Sequence, residues 1–272
     1  MSVELVFLGT GGGRFATITQ RRMTGGILLN CEKRIHIDPG PGALIRAIQF
    51  GYNPIGIDGI IVSHCHPDHY TDAEVMIEAM TRGMTKRHGF LIGSKSVIEG
   101  YKNFGPSISK YHQKQVEEIY TVEPDQTLDL GNMTIEVTPT IHSDPSGVGF
   151  KFFTENGIIS YIGDTEYFDD ISKYHEGARV LIVPNTRPSN DRIKYHLCSE
   201  DTIKLLREIK PEKAFLIHLG MKIMDIASKE AKIITEKSGV ETIAPNDGAK
   251  ISVEEVIKVD ASRQGSLDSF LR

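Results

Sequence analysis

The sequence predicts a single α/β domain in which sheet layers are covered by helices. Three observations predict it. Short runs rich in Val, Ile and Phe, bounded by Gly, Pro, Asn or Asp, recur along the chain and read as strands. Helical patterns with their own start and stop signals lie between them. No 20–50-residue repeat and no internal linker breaks the alternation, and 272 residues are enough for one large domain with a core.

Taken in order, "VELVFLG", "GGILLN" and "RIHIDPG" open the chain as strands. "GALIRAIQFG" follows as a helix, started by Pro41 and stopped by Gly51. After the strand "GIIVS", the helix "TDAEVMIEAMTRG" offers Thr71 as N-cap and Glu74 at the capping-box position. "MTIEVTP", "GVGFKFFT", "GIISYIG" and "VLIVPN" read as a second series of strands. "SEDTIKLLREIK" repeats the capping device with Ser199 and Thr202, and "AFLIHLG" returns to strand. "MDIASKEAKIITEKSG" is a helix ending at Gly239. "KISVEEVIKV" is the last strand-like run, so a domain is expected over residues 1–259, with a flexible polar tail over 260–272. The glycine-rich "GTGGGRF" after the first strand is expected to be a tight strand-to-loop turn. It reads as lacking both a prompt following helix and the acidic residue about 20 positions on that a dinucleotide loop requires.

Composition narrows the class. Hydrophobic residues at 39% and charged residues at 25% are those of a soluble globular protein. No run approaches the roughly 18 apolar residues of a membrane span, and "MSVELVFLGT" lacks the flanks of a signal peptide. Three well-separated cysteines, Cys31, Cys65 and Cys198, fit reduced thiols in the cytoplasm. A net charge of −5 excludes a broadly basic nucleic-acid coat. Cations gather locally instead: Arg14, Arg21 and Arg22, then Arg82, Lys86, Arg87 and His88, then Arg187, Arg192 and Lys194. Their recurrence around the residues below points to an anionic substrate.

The chemistry concentrates in "SHCHPDHYTD". His64, His66, Asp68 and His69 fall within six residues, a density that packing alone does not explain. Imidazole nitrogen and carboxylate oxygen suit zinc, manganese and iron. His64 and His66, two apart, can reach the same side of an extended or turning loop. Asp68 and His69 are adjacent and point in different directions, so one loop can supply ligands to two neighbouring metals, with Pro67 stiffening its middle. Further ligands are sought at strand ends, where His142, Asp164 and His218 each follow an apolar run.

"HCHPDH", followed in order by His142, "GDT" and "IHLG", resembles the metallo-β-lactamase fold superfamily, from Met1 to about Val259. The resemblance implies a four-layer αββα sandwich with the site between the sheet edges. It implies two divalent metal ions, zinc first, with manganese or iron as alternatives. His64, His66 and His142 would hold one; Asp68, His69 and His218 would hold the other, with Asp164 bridging. Cys65 is expected to be a small buried residue turned away from the metals. Two such ions about 3.5–4 Å apart lower the pKa of a shared water toward ~7, and the resulting hydroxide attacks carbon or phosphorus.

His196, a helix and a strand before His218, selects between electrophiles. In the phosphodiesterase branch, which includes tRNase Z and cyclic-phosphate phosphodiesterases, a histidine at this place contacts the scissile phosphate or assists the leaving group. Asp68 and His196 are therefore the expected catalytic residues. The chain carries "HLC" where tRNase Z enzymes usually carry "HST", and it has no long Gly/Pro-rich insertion to form a tRNA-clamping arm. The expected substrate is a cyclic or short phosphodiester, or a DNA or RNA end. The alternative is a carboxyl-ester, lactone or thioester hydrolase that makes no use of His196. A binding module would not need seven ligands, and no flavin domain follows to support di-iron redox chemistry. Finally, Gln264, Leu267 and Phe270 in "RQGSLDSFLR" have the spacing of a sliding-clamp (PCNA) interacting peptide, with Leu271 in place of the second aromatic. A 3₁₀ turn would put Leu267 and Phe270 on one face.

Overall fold

The computed structural model describes residues 3–260. Strands β1 (Val3–Phe7), β2 (Ile27–Asn30), β3 (Arg34–Ile37), β4 (Gly59–Val62), β5 (Phe90–Ser94) and β6 (Glu118–Val122) begin one sheet. A second sheet takes β7 (Thr127–Asp129), β8 (Thr134–Pro139), β9 (Val148–Thr154), β10 (Gly157–Tyr161), β11 (Ala178–Arg187), β12 (Leu197–Cys198), β13 (Lys213–Ile217) and β14 (Glu241–Ile243). The chain then returns to the first sheet with β15 (Lys250–Val253) and β16 (Ile257–Asp260). The orders are β16-β15-β1-β2-β3-β4-β5-β6 and β14-β13-β11-β10-β9-β8-β7, with β12 paired on β11. The run "KISVEEVIKV" is thus a hairpin rather than one strand, registered Lys250 to Asp260.

Period-two alternation builds the layers. Leu5 and Phe7 of β1, Ile35 and Ile37 of β3, and Phe150 and Phe152 of β9 fill the core between the sheets. The intervening Val6, Ile60 and Val62 face outward into a second cluster with Ala43, Met76 and Ile77 of the helices. On the far sheet Leu181 and Val183 meet Leu205, Leu206 and Ile234. Helix, sheet, sheet, helix is the four-layer αββα sandwich expected.

Strand direction positions the site. β3, β4, β5 and β6 are mutually parallel. β8 and β10 both run antiparallel to β9, while β10, β11 and β13 are parallel. The C-terminal ends of β4, β8, β10 and β13, which precede the candidate ligands, therefore gather at one edge of the sandwich.

The helices are α1 (Arg14–Thr19), α2 (Ala43–Gln49), α3 (Pro67–Tyr70), α4 (Ala73–Met80), α5 (Lys95–Ile98), α6 (Lys110–Gln113), α7 (Ile171–Tyr174), α8 (Ser199–Ile209) and α9 (Ala227–Ser238). Two local expectations are corrected. A helix, α1, does follow "GTGGG" at once, because Gly13 at φ 80° turns the chain into it. The capping box on α4 does not form. Thr71 Oγ1 donates to the Pro67 carbonyl, closing α3, and Glu74 accepts from the Ser109 N–H at 2.7 Å. On α8 the box does form, one residue early, between Cys198 and Asp201. α9 ends on Gly239 in the left-handed conformation, as expected. Among the described residues no helix is long and apolar enough to cross a membrane.

Candidate metal centre

β4 is fully buried and ends at Val62, after which the chain bends at His64 and Cys65, is extended at His66 and turns into α3 at Pro67. This bend sends His64 and His66 to one point. His64 Nε2 and His142 Nε2 each lie near His66 Nδ1, at 2.9 and 3.0 Å. Nitrogens about 2.0–2.1 Å from one tetrahedral zinc stand roughly 3.3 Å apart, so this trio is shaped to converge on one cation. Beside it, Asp68 Oδ2 lies 3.6 Å from His69 Nε2 and 3.2 Å from His218 Nε2. Asp164 Oδ2 stands between the two groups, 3.9 Å from His64 Nε2, 3.5 Å from His69 Nε2 and 2.9 Å from His218 Nε2. All seven residues named from the sequence thus come together, and His196 joins them: its ring stacks on His218 at 5.3 Å, with Nδ1 3.9 Å from Asp164 Oδ2.

The donor chemistry fits metal. His69 Nε2 and Asp164 Oδ1 are buried without a hydrogen-bond partner, a costly arrangement that a cation would relieve. The charge balance agrees. Burial would lower His218, but Asp164 and Asp68 outweigh it and raise its pKa to about 9. His69 is likewise raised well above its ordinary value against the pull of burial, by Asp68, Asp164 and Asp38. Burial acts against ionisation of Asp68 and Asp164, yet the facing imidazoles hold both carboxylates ionised. Burial lowers His64, His66 and His142, with His66 near 4, so the neighbouring trio presents neutral lone pairs. Carboxylates that demand positive charge, beside imidazoles stripped of protons, are what bound cations require.

A supporting layer orients the ligands, and the sequence reading missed it. Asp38, at the end of β3 with φ 51°, accepts from His69 Nδ1 at 2.8 Å, from the Ser63 N–H and Oγ, and from Tyr161 Oη at 2.6 Å. His142 Nδ1 donates to the Tyr195 carbonyl at 3.0 Å, and His218 Nδ1 lies 2.9 Å from Thr186 Oγ1. Asp144 accepts from the Cys65 N–H and from Ser96 Oγ, joining the His142 loop to the His64–His66 loop. The only sequence signal for Asp38 was a carboxylate closing the strand "RIHIDPG". Cys65 is half-buried and packs with the helix-side core.

The cations expected around the site divide. Arg14, Arg187 and Lys194 line the cleft that holds Asp68, Asp164 and His196. Arg21 pairs with Asp225, and Arg192 with Asp201. Arg87 donates to the Val116 carbonyl and His88 faces Asp58 and Glu117. These last two precede β5, at the edge of the sheet opposite the ligands.

A family profile described as "Beta-lactamase superfamily domain" matches residues 33–219. The chain is 43% identical over 256 residues to the uncharacterized protein MJ1374 of Methanocaldococcus jannaschii, covering 93% of this chain and 96% of that one. It is 24% identical over 303 residues to a ribonuclease Z of Pyrococcus abyssi, covering 93% and 96%. Among solved structures, the metallo-β-lactamase fold protein YhfI of Bacillus subtilis aligns at a TM-score of 0.76 and 22% identity, over 93% of this chain and all of that one. The short form of human tRNase Z aligns at 0.67 and 15%, over 92% and 99%. At such identities the structural likeness is one of fold.

Proposed function

The chain belongs to the β-lactamase superfamily as a metal-dependent hydrolase, and on that premise we propose that it cleaves a phosphodiester in RNA or in a short nucleotide. The observation that carries the reading is His196, stacked on His218 beside Asp164 in a cleft that Arg14 and Lys194 also line. His64, His66 and His142 would hold one divalent ion, and Asp68, His69 and His218 a second, with Asp164 shared between them. Zinc is the first choice, with manganese and iron as alternatives that the same donor set also suits. Bound divalent ions supply Lewis acidity and lower the pKa of water.

The chain's own residues do the rest. Asp68 and Asp164 fix the ligand geometry, and Gly13 N–H donates to Asp68 Oδ2 at 2.7 Å, holding that carboxylate in place. Arg14 and Lys194 offset phosphate charge. His196, which burial keeps neutral with a pKa near 3, is an N–H donor toward a phosphoryl oxygen or the departing alkoxide. The alignment with ribonuclease Z proteins favours RNA over DNA as the polymer. Carboxyl-ester, lactone or thioester hydrolysis would leave His196 and the cleft cations without a task. The test is a panel on protein loaded with zinc or manganese: bis(p-nitrophenyl) phosphate, a 2′,3′-cyclic nucleotide and a short RNA, against a lactone and a thioester. Turnover of the phosphodiesters is expected; turnover confined to the lactone or thioester would overturn the assignment.

The proposal extends to location. The free cysteines suit a reducing cytoplasm. The pattern of Gln264, Leu267 and Phe270 lies outside the described residues, and it supports tethering to a sliding clamp, which would raise the local concentration of enzyme at nucleic acid. Titrating the cognate clamp with the full chain should give binding that Leu267→Ala/Phe270→Ala abolishes. Equal binding by both, or by neither, removes the tether.

A further inference from the structure

We infer that Phe15 is a stacking platform for a nucleobase adjoining the scissile phosphate. The inference rests on the phosphodiesterase reading and narrows it to nucleotidic esters.

Phe15 is 70% exposed, on a six-residue helix that buries only Ala16. Isolated exposed apolar side chains are ordinary; this one lines the same cleft, of about 930 Å³, as Asp164 and His196. That volume is near the upper end for small-ligand sites, which run roughly 300–1,000 Å³. The position of the ring is also fixed relative to the metal ligands. Two residues upstream, Gly13 N–H is bonded to Asp68. One residue before that, Gly12 lies so close to the His218 ring that a Cβ would stand 2.1 Å from Cδ2. The start of α1 is thus held against two metal ligands, and Phe15 follows at a set offset.

The rest of the cleft suits a nucleotide. Ile193 and Met221 add apolar wall, and the Met221 Sδ lies 3.8 Å from Thr19 Oγ1 at the end of α1. Arg14 and Lys194 line the same space. An aromatic face beside cations is how sequence-tolerant recognition of single-stranded nucleic acid is built, since every base has a π-face and every linkage a charge. An alkyl phosphodiester would use the apolar wall but gain nothing from a planar ring.

The chain contains no tryptophan, so Phe15→Trp places the sole indole of the protein on the platform. Uridine monophosphate titrated into the metal-loaded variant should quench its emission saturably, and inorganic phosphate should not. In parallel, Phe15→Ala should raise KM for the p-nitrophenyl ester of thymidine 5′-phosphate by roughly 5- to 100-fold, the range of one base stack, with kcat changed less than about twofold. The same variant should leave KM for ethyl p-nitrophenyl phosphate unchanged, and Phe15→Tyr should restore the wild-type value. Quenching by neither ligand, equal KM increases on both esters, or tighter binding of an octyl than of the thymidine ester would each overturn the platform. Turnover of both esters with no quenching removes the platform and leaves the phosphodiesterase reading standing. Quenching by the nucleotide with no phosphodiester turnover keeps the platform and removes that reaction.

Discussion

Asp164 faces both candidate ligand groups, since its Oδ2 lies within 3.9 Å of His64, His69, His196 and His218 nitrogens. Asp164→Ala should therefore unsettle both ions, whereas His64→Ala should empty chiefly one; metal content after dialysis distinguishes them, and full retention in either variant would mean the ligand assignment is wrong. His196→Ala should keep the metals but lower kcat on a phosphodiester with a poor leaving group by about two to four orders of magnitude. An unchanged rate would return His196 to a packing role. Asp38 is the residue the sequence concealed. It takes four hydrogen bonds, two of them from Ser63, and its partner Tyr161 is 123 residues away. Asp38→Asn should weaken metal affinity by about 10- to 100-fold without removing a ligand; a competition titration with a chelating dye reads this, and unchanged affinity would reduce Asp38 to a fold residue. The candidate ligands themselves were legible because metal chemistry demands particular residue types at short spacing. The supporting layer was not, because Asp38, Thr186 and the Tyr195 carbonyl acquire meaning only when distant strand ends meet.

Among the elements, most buried strands were legible, but β5, buried along all five residues, was not. Alternating or continuous apolar runs announced β1, β4, β9 and β11. The partly exposed β6 and the three-residue β7 and β14 carry too little pattern to be read. One-turn helices such as α5 and α7 lack a period for the same reason. α1 misled differently. "RFATIT" is rich in β-branched residues, which disfavour helix, and it is helical because tertiary contacts at Gly12 and Gly13 set its start. That ties the glycine loop to the candidate metal site, against Asp68 and His218, rather than to a phosphate. Gly12→Ala should push the His218 ring aside and weaken the ion held with Asp68 and His69 by tenfold or more. The His64–His66–His142 trio should keep its ion. Loss of one equivalent of metal is the expected result; full occupancy would show that the loop yields and does not position His218.

At the scale of the molecule, a fully buried imidazole packs on the helix-facing side of each sheet. His36, between the inward Ile35 and Ile37, donates to the Gly25 carbonyl at 2.7 Å. His175 closes α7 over Ser160, whose Oγ is 2.7 Å from Nδ1. Burial lowers the first to about 4 and the second to about 3, with Lys151 adding to the effect on His175. Both stay neutral in the folded chain while an unfolded histidine titrates near 6.5. Below that value the unfolded state binds protons that the folded state refuses, so stability is held above pH 6.5 and falls as pH drops toward 4 and then 3. Each group contributes a slope of about 1.4 kcal/mol per pH unit within its window. The ligand histidines also respond to acid, so the wild-type slope alone does not isolate the effect; the difference between proteins does. Denaturant unfolding of wild type and His175→Gln at fixed metal concentration, from pH 7 to 4.5, should give a variant whose stability falls less steeply, by about 1.4 kcal/mol per unit below pH 6. Parallel curves would mean that His175 takes up its proton without unfolding, and that the outer face of the second sheet admits water beside Ser160.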